Sequence, residues 1–399
     1  MALKVLVGPL RYVQGPNALS EMDQQLQALA IRKPLVLVSR SAKKVVEPIF
    51  AGMLEARRII YELLEFGGEC TFREIDRVKN ACIEGCHDAI IGCGGGKTLD
   101  TGRAAAAATA VMVEKSPPEA LPRFGAGVPY VSVPTVAATD AATSAVSLVY
   151  TEEGIAEAAL AFPTNPTMVL VDTGIIARSP VRLIVAGMGD ALATHFEAAV
   201  SLRTGTPCIQ TSAHSTLTAQ ALARLCLDII LDYGVHAKAE AEAGIPGPGI
   251  EAIAEANVFL SGLGFESGGL SAAHAIGLAF HHINECFETH MYHGELVAFG
   301  TLTQLILEER KPEYLDTIFG FCKAVGLPTT FGELNLGNVT DEELLRVADA
   351  ASRHVIIRSM PGGTAQPDRE GRFYDHLTVF RAMKTADAYG RAFDRTSRR

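Results

Sequence analysis

The stretch Asp88-Ala89-Ile90-Ile91-Gly92-Cys93-Gly94-Gly95-Gly96-Lys97-Thr98-Leu99-Asp100 sets the architecture of this chain. A short apolar run stops at three consecutive glycines, and a helical pattern begins at once near Lys97. A buried strand that turns directly into a helix is the first half of a parallel βα unit. Glycines let the backbone approach a ligand closely, and the unpaired N–H groups at a helix start attract phosphate. Read alone, the triplet serves equally well as a tight strand-to-helix turn. It is not a P-loop, because the first glycine of that motif would fall on Ile91. Nor is it the Rossmann fingerprint, whose third glycine would fall on Lys97.

The same alternation extends to either side. Residues 35–38 predict a strand, 42–54 a helix, 59–64 a strand, 71–86 a helix, and 130–133 and 168–172 two more strands. This order predicts a mostly parallel sheet covered by helices, which binds ligands at the carboxyl ends of its strands. After Asp172 the strand signals stop. From Pro180 onward apolar residues recur at helical spacing, as in residues 213–231, so the C-terminal half is expected to be all-α. The boundary is expected near residue 177, giving an α/β domain over 1–177 and a helical domain over 178–399. Gly244–Gly249 is a loop between two helices.

A chain of 399 residues is long enough for two cores. Its net charge of −10, from 45 acidic against 35 basic residues, argues against a nucleic-acid partner. The Ala-rich run from Ala104 to Ala110 is too short to span a bilayer, so no membrane partner is expected. The first residues, Met1 to Val7, go straight into a strand pattern with no leader profile, which predicts a soluble, cytoplasmic protein. Eight scattered cysteines read as reduced thiols. Cys82 and Cys86 lie four apart on a predicted helix face, but no second pair with metal-like spacing accompanies them.

Three further segments carry chemistry. Pro134–Ser147 follows a strand and is rich in small hydroxylated residues, which alone describes a polar turn. Asp190, in Gly187-Met188-Gly189-Asp190-Ala191, reads alone as a helix-capping acid. His274 and His293 sit in apolar helical settings, where single histidines usually serve the core or a cap. Together, one carboxylate and two imidazoles form a set suited to a catalytic divalent ion with open positions. His281, His282 and His290 compete for that role, and His195 lies five residues after Asp190, an awkward spacing for joint ligation.

The glycine loop from Gly94 to Asp100 closely resembles the dinucleotide loop of the glycerol dehydrogenase family, within the iron-containing alcohol dehydrogenase and dehydroquinate synthase-like fold. The resemblance runs from about Val13 to Gly390 and includes Glu266–Leu270, Gly300–Leu302 and Phe321–Pro328. It implies that Gly94, Gly95, Gly96, Lys97 and Thr98, with Thr135, Ser144, Val146 and Tyr150, bind NAD or NADP. It implies that Asp140 hydrogen-bonds a substrate hydroxyl, and that Asp190, His274 and His293 hold Zn2+ or another divalent ion. The N-terminal domain becomes the dinucleotide-binding one and the C-terminal domain the metal and substrate one. The implied reaction moves hydride between a small vicinal diol, such as glycerol, and the nicotinamide, in a homo-oligomer.

Departures from the family pattern are informative. The spacing between the two histidines, 293 − 274 = 19, is longer than in the family and implies an extended turn between them. Met360–His376 also departs, so nothing is carried over there. The predicted strand at 35–38 ends in Ser39-Arg40-Ser41, with Lys43 and Lys44 close behind, where NAD-preferring relatives carry an Asp. Ser39 and Arg40 are donors suited to the 2′-phosphate of NADP, although these cations equally describe a solvated helix start. Two rival activities share the scaffold. A 2-oxo acid reductase would want a cation in place of Asp140, and a sugar-phosphate cyclase would want basic residues around the metal.

Overall fold

A computed structural model describes residues 2–56, 59–110, 112–114, 123–124 and 127–397. In chain order the strands are β1 (Arg11–Gly15), β2 (Pro34–Val38), β3 (Glu62–Glu65), β4 (Ala89–Gly94), β5 (Met112–Glu114), β6 (Arg123–Phe124), β7 (Tyr130–Pro134), β8 (Val146–Tyr150), β9 (Ala156–Ala161) and β10 (Met168–Asp172). The first helices are α1 (Met22–Ala28), α2 (Arg40–Glu55), α3 (Phe72–Glu84), α4 (Gly96–Ala108) and α5 (Thr173–Ile176). They are followed by α6 (Val181–Thr204), α7 (Leu217–Ala243), α8 (Pro248–Glu255), α9 (Ser261–Gly268) and α10 (Ala272–Ala279). The last four are α11 (His293–Leu307), α12 (Pro312–Val325), α13 (Asp341–Arg353) and α14 (His376–Ser397).

The chain forms two compact units: Val7–Pro180 with Ala239–Gly262, and Met1–Leu6 with Val181–Lys238 and Leu263–Arg399. The first holds a six-stranded, all-parallel sheet in the order β1-β10-β7-β4-β2-β3. Its four inner strands are buried on both faces, and the period of two divides them cleanly. Val36, Val38, Ile91 and Cys93 enter one core while Leu35, Leu37 and Ile90 enter the other. Strand order reverses at β2 and β4, so the crevice beyond their carboxyl ends is where such a sheet receives a ligand.

The sequence reading has no counterpart for the second sheet, β5-β6-β9-β8, whose strands are short or partly exposed and carry no long apolar run. Nor did it separate 239–262 from the helical half. These residues pack on the α/β unit through polar ties that helical periodicity does not announce. Gln14 donates to the Glu251 carbonyl at 2.8 Å, Asn257 to the Ala137 carbonyl at 2.9 Å, and Tyr12 stacks on Phe259 at 4.2 Å. The strand expected at the N-terminus is reduced to one bridge between Lys4 and His214, and the first strand is β1. Cys86 does not share a helix face with Cys82, since α3 has ended and Cys86 has a φ of 49°.

In the helical unit α11 packs against α6, α10, α12 and α14. Among the described residues α6 alone is long and apolar enough to cross a membrane, and most of its apolar stretch is buried inside the structure. Between α10 and α11 the chain makes a 3-10 turn, Phe280–Cys286, and then an irregular stretch to Tyr292, which takes up the long spacing between His274 and His293. The divergent 360–376 segment is a loop tied down by Arg372, which donates to Asp349 at 2.7 Å.

Candidate metal centre and nucleotide pocket

Asp190 lies in the middle of α6, His274 in the first turn of α10, and His293 opens α11. The glycines beside them let these helices meet. A Cβ on Gly294 would overlap the Ala186 carbonyl oxygen, and one on Gly189 would overlap the carbonyl of Gly294. Backbone therefore runs against backbone, and the residues next to those glycines arrive together. The Nε2 atoms of His274 and His293 lie 3.3 and 3.6 Å from Asp190 Oδ1. One ligand atom from each of the three residues falls within 4.8 Å of the others, and no other such group occurs among the described residues.

Asp190 is 7% exposed, and its Oδ1 has no hydrogen-bond partner. Neither imidazole, at 3.3 and 3.6 Å, supplies it with one. A buried carboxylate oxygen facing two imidazole nitrogens without hydrogen bonds is the environment a cation would complete. Burial pushes the Asp190 carboxyl up, but the two rings outweigh it and hold it below its ordinary value. Burial also pushes both imidazoles down. For His274 the carboxylates of Glu197 and Asp190 reverse the direction, whereas His293 stays low.

The competing histidines do not join this group. His281, His282 and His290 are exposed. His195 is partly buried beside Phe196, and burial, with help from Arg224 and Arg310, drives its pKa down to about 4. Sequence reading missed Glu197, which is fully buried and 2.6 Å from His274 Nδ1. Its place seven residues after Asp190, two helical turns along the same face, was the available signal.

In the α/β unit a cavity of about 830 Å³ opens at the strand-order reversal, lined by Ser39 to Ser41, Lys44, Phe66 to Gly68, and Gly95 to Thr98. Gly94 sits behind it, where a Cβ would crowd Thr98 at 2.8 Å and Ser39 at 3.1 Å. Gly95 and Gly96 begin α4, so their side of the cavity is a helix N-terminus without side chains. Thr135 is adjacent, its N–H donating to the Gly94 carbonyl, and Lys97 lies 5.2 Å above the Tyr150 ring. Ser144 and Val146 belong to the neighbouring loop and do not line this cavity.

That loop is braced from below. Arg103, 3% exposed on α4, pairs with Asp100 at 2.9 Å and donates to the carbonyls of Ala141 and Val146. Asp100 is therefore part of a buried strut. Asp140 begins the 3-10 turn Asp140–Ala142, and its carbonyl accepts from the N–H groups of Thr143 and Ser144.

The end of β2 lacks a carboxylate, but the neighbouring strand ends in one. Parallel register sets Glu65, the last residue of β3, opposite Val38. Its two oxygens take Arg40 at 3.3 Å and Lys43 at 3.2 Å. Lys43, then Arg40, pull its pKa below the ordinary carboxylate value. Two of the cations beyond Ser39 thus already face an anion.

A parallel sheet with a glycine-formed helix start at its strand-order reversal, together with a helical unit holding one Asp and two His, defines a known class of protein. The family model described as iron-containing alcohol dehydrogenase matches residues 9–173. Over 96% of both chains the sequence is 41% identical to a glycerol dehydrogenase of Thermotoga maritima. It is 40% identical, over 98% of both, to a glycerol dehydrogenase of Escherichia coli. The crystal structure of glycerol dehydrogenase from Schizosaccharomyces pombe superposes with a TM-score of 0.86 at 30% identity, covering 100% of this chain and 93% of that one. The chain belongs to the glycerol dehydrogenase family of iron-containing alcohol dehydrogenases.

Proposed function

We propose that this chain is a metal-dependent polyol dehydrogenase that moves hydride between glycerol, or a related vicinal diol, and NAD(P). The observation that carries this reading is the buried, unpartnered Oδ1 of Asp190 facing the Nε2 atoms of His274 and His293. One carboxylate and two imidazoles suit Zn2+, with Fe2+ the competing ion for the same donors. When bound, the ion supplies Lewis acidity to a substrate hydroxyl, and the nicotinamide accepts the hydride.

The remaining work falls to side chains and backbone of the chain itself. Asp190, His274 and His293 hold the ion. Asp140 accepts a hydrogen bond from a second hydroxyl and so selects a diol over a simple alcohol. The N–H groups at the start of α4 bind the pyrophosphate, and Ser39 faces the adenosine ribose. Glu65 favours NAD over NADP, because its carboxylate occupies Arg40 and Lys43 and repels a 2′-phosphate. Eight cysteines held as thiols suit the reducing cytoplasm.

The test is cofactor reduction across glycerol, 1,2-diols, simple alcohols and 2-hydroxy acids, before and after dialysis against chelator, with zinc or iron restored. Diols should be turned over best, and dialysis should abolish turnover until the ion returns. Preference for 2-hydroxy acids would overturn the substrate class, and indifference to chelator would overturn the metal.

A further inference from the structure

Glu197 spends a fully buried carboxylate at a place where the ligand set does not require one. Both of its oxygens are committed. Oε1 accepts the backbone N–H groups of Ser271 at 2.8 Å and His274 at 3.0 Å, which are among the orphan donors at the start of α10. Ser271, the N-cap of that helix, makes no side-chain cap of its own. Oε2 lies 2.6 Å from His274 Nδ1. A carboxylate oxygen at that distance accepts a hydrogen bond, so Nδ1 must carry the ring proton. The lone pair is then left on Nε2, the nitrogen that faces Asp190 Oδ1. Burying this carboxylate is offset by three N–H donors and by the positive end of α10.

We infer that Glu197 is the positioning residue for the metal ion: one carboxylate caps α10 and fixes the His274 tautomer and ring angle, so that Nε2 is presented as a ligand. The inference rests on the metal reading above. A glutamine at 197 separates its two duties. The amide oxygen still accepts from Ser271 and His274 N–H, whereas the amide nitrogen donates to Nδ1. The ring proton is then driven to Nε2, where it blocks ligation. Such outer partners of a metal-bound histidine typically change metal affinity by about 10- to 100-fold.

The experiment measures zinc affinity of the full chain by competition with a chromophoric chelator, for wild type, Glu197→Gln and Glu197→Asp, together with melting temperatures of the metal-free proteins. Glu197→Gln should bind zinc about 10- to 100-fold more weakly than wild type while melting close to it, and Glu197→Asp should recover part of the loss. A purely structural residue would move the melting temperature and leave the affinity per folded chain unchanged, and that result overturns the inference. Should the glutamine variant not fold, 15N spectra of zinc-loaded wild type labelled at histidine decide the question. A proton on Nδ1 of His274 is expected, and a proton on Nε2 contradicts it. Failure of wild type to bind one divalent ion would overturn the metal reading itself, and with it this inference, whereas unchanged affinity in Glu197→Gln overturns the Glu197 assignment alone.

Discussion

Two carboxylates, Asp140 and Glu65, carry the selectivity of the proposed enzyme, and each makes a separate prediction. Asp140 stands at the first position of a 3-10 turn held by the Arg103 strut, so Asp140→Ala removes a substrate contact while the brace stays in place. Lost orientation of this kind costs about 100-fold, so kcat/KM for glycerol should fall by about that factor with the NAD dissociation constant unchanged. Intact turnover, or loss of cofactor binding alone, would remove Asp140 from the substrate. Glu65→Gln should release Arg40 and Lys43 and raise the NADP-to-NAD efficiency ratio about tenfold, the size of one charge-assisted hydrogen bond. Arg40→Ala in that background should reverse the gain. A ratio indifferent to Glu65 would return the choice to Ser39 and its neighbours. Glu65 was not legible beforehand, because its place beside Ser39 is set by pairing between strands separated by a helix. Glu197 was hidden for a similar reason, since its partners Ser271 and His274 lie more than seventy residues further along the chain.

At the scale of elements, the glycines decide how closely helices approach. Gly294→Ala would drive a methyl group into the Ala186 carbonyl one residue past His293, forcing α6 and α11 apart. Overpacking at such a contact destabilises by about 1–3 kcal/mol, and the metal content should fall with it. Gly52→Ala is the control: it lies in α2 with open space around its Cα, so the helix should gain roughly 0.5–1 kcal/mol. Thermal melting and metal analysis of both variants check this, and an unperturbed Gly294→Ala would contradict the close crossing. The strand-glycine-helix unit at 88–100 was legible because all its information is local: an apolar run, three small residues, and a helix start. The second sheet was not. Ala156–Ala161 has the composition of a helix and becomes a strand by pairing with β8 and β6.

For the whole molecule, the proposed function divides between the two compact units. The α/β unit contributes the glycine-lined cavity and Asp140, and the helical unit contributes Asp190, His274 and His293. Periodicity distinguished a parallel α/β part from a helical part because burial on both faces and burial on one stripe leave different patterns. It could not assign 239–262 to the α/β unit, since a helix reads alike wherever it packs. The most direct measurement is metal analysis of wild type and His274→Ala, each purified with zinc and assayed with glycerol and NAD. The expected result is one divalent ion per chain and turnover for wild type, with both lost from a folded His274→Ala. A variant that keeps its ion and full activity, or a wild type that turns over glycerol with no ion at all, would contradict the account.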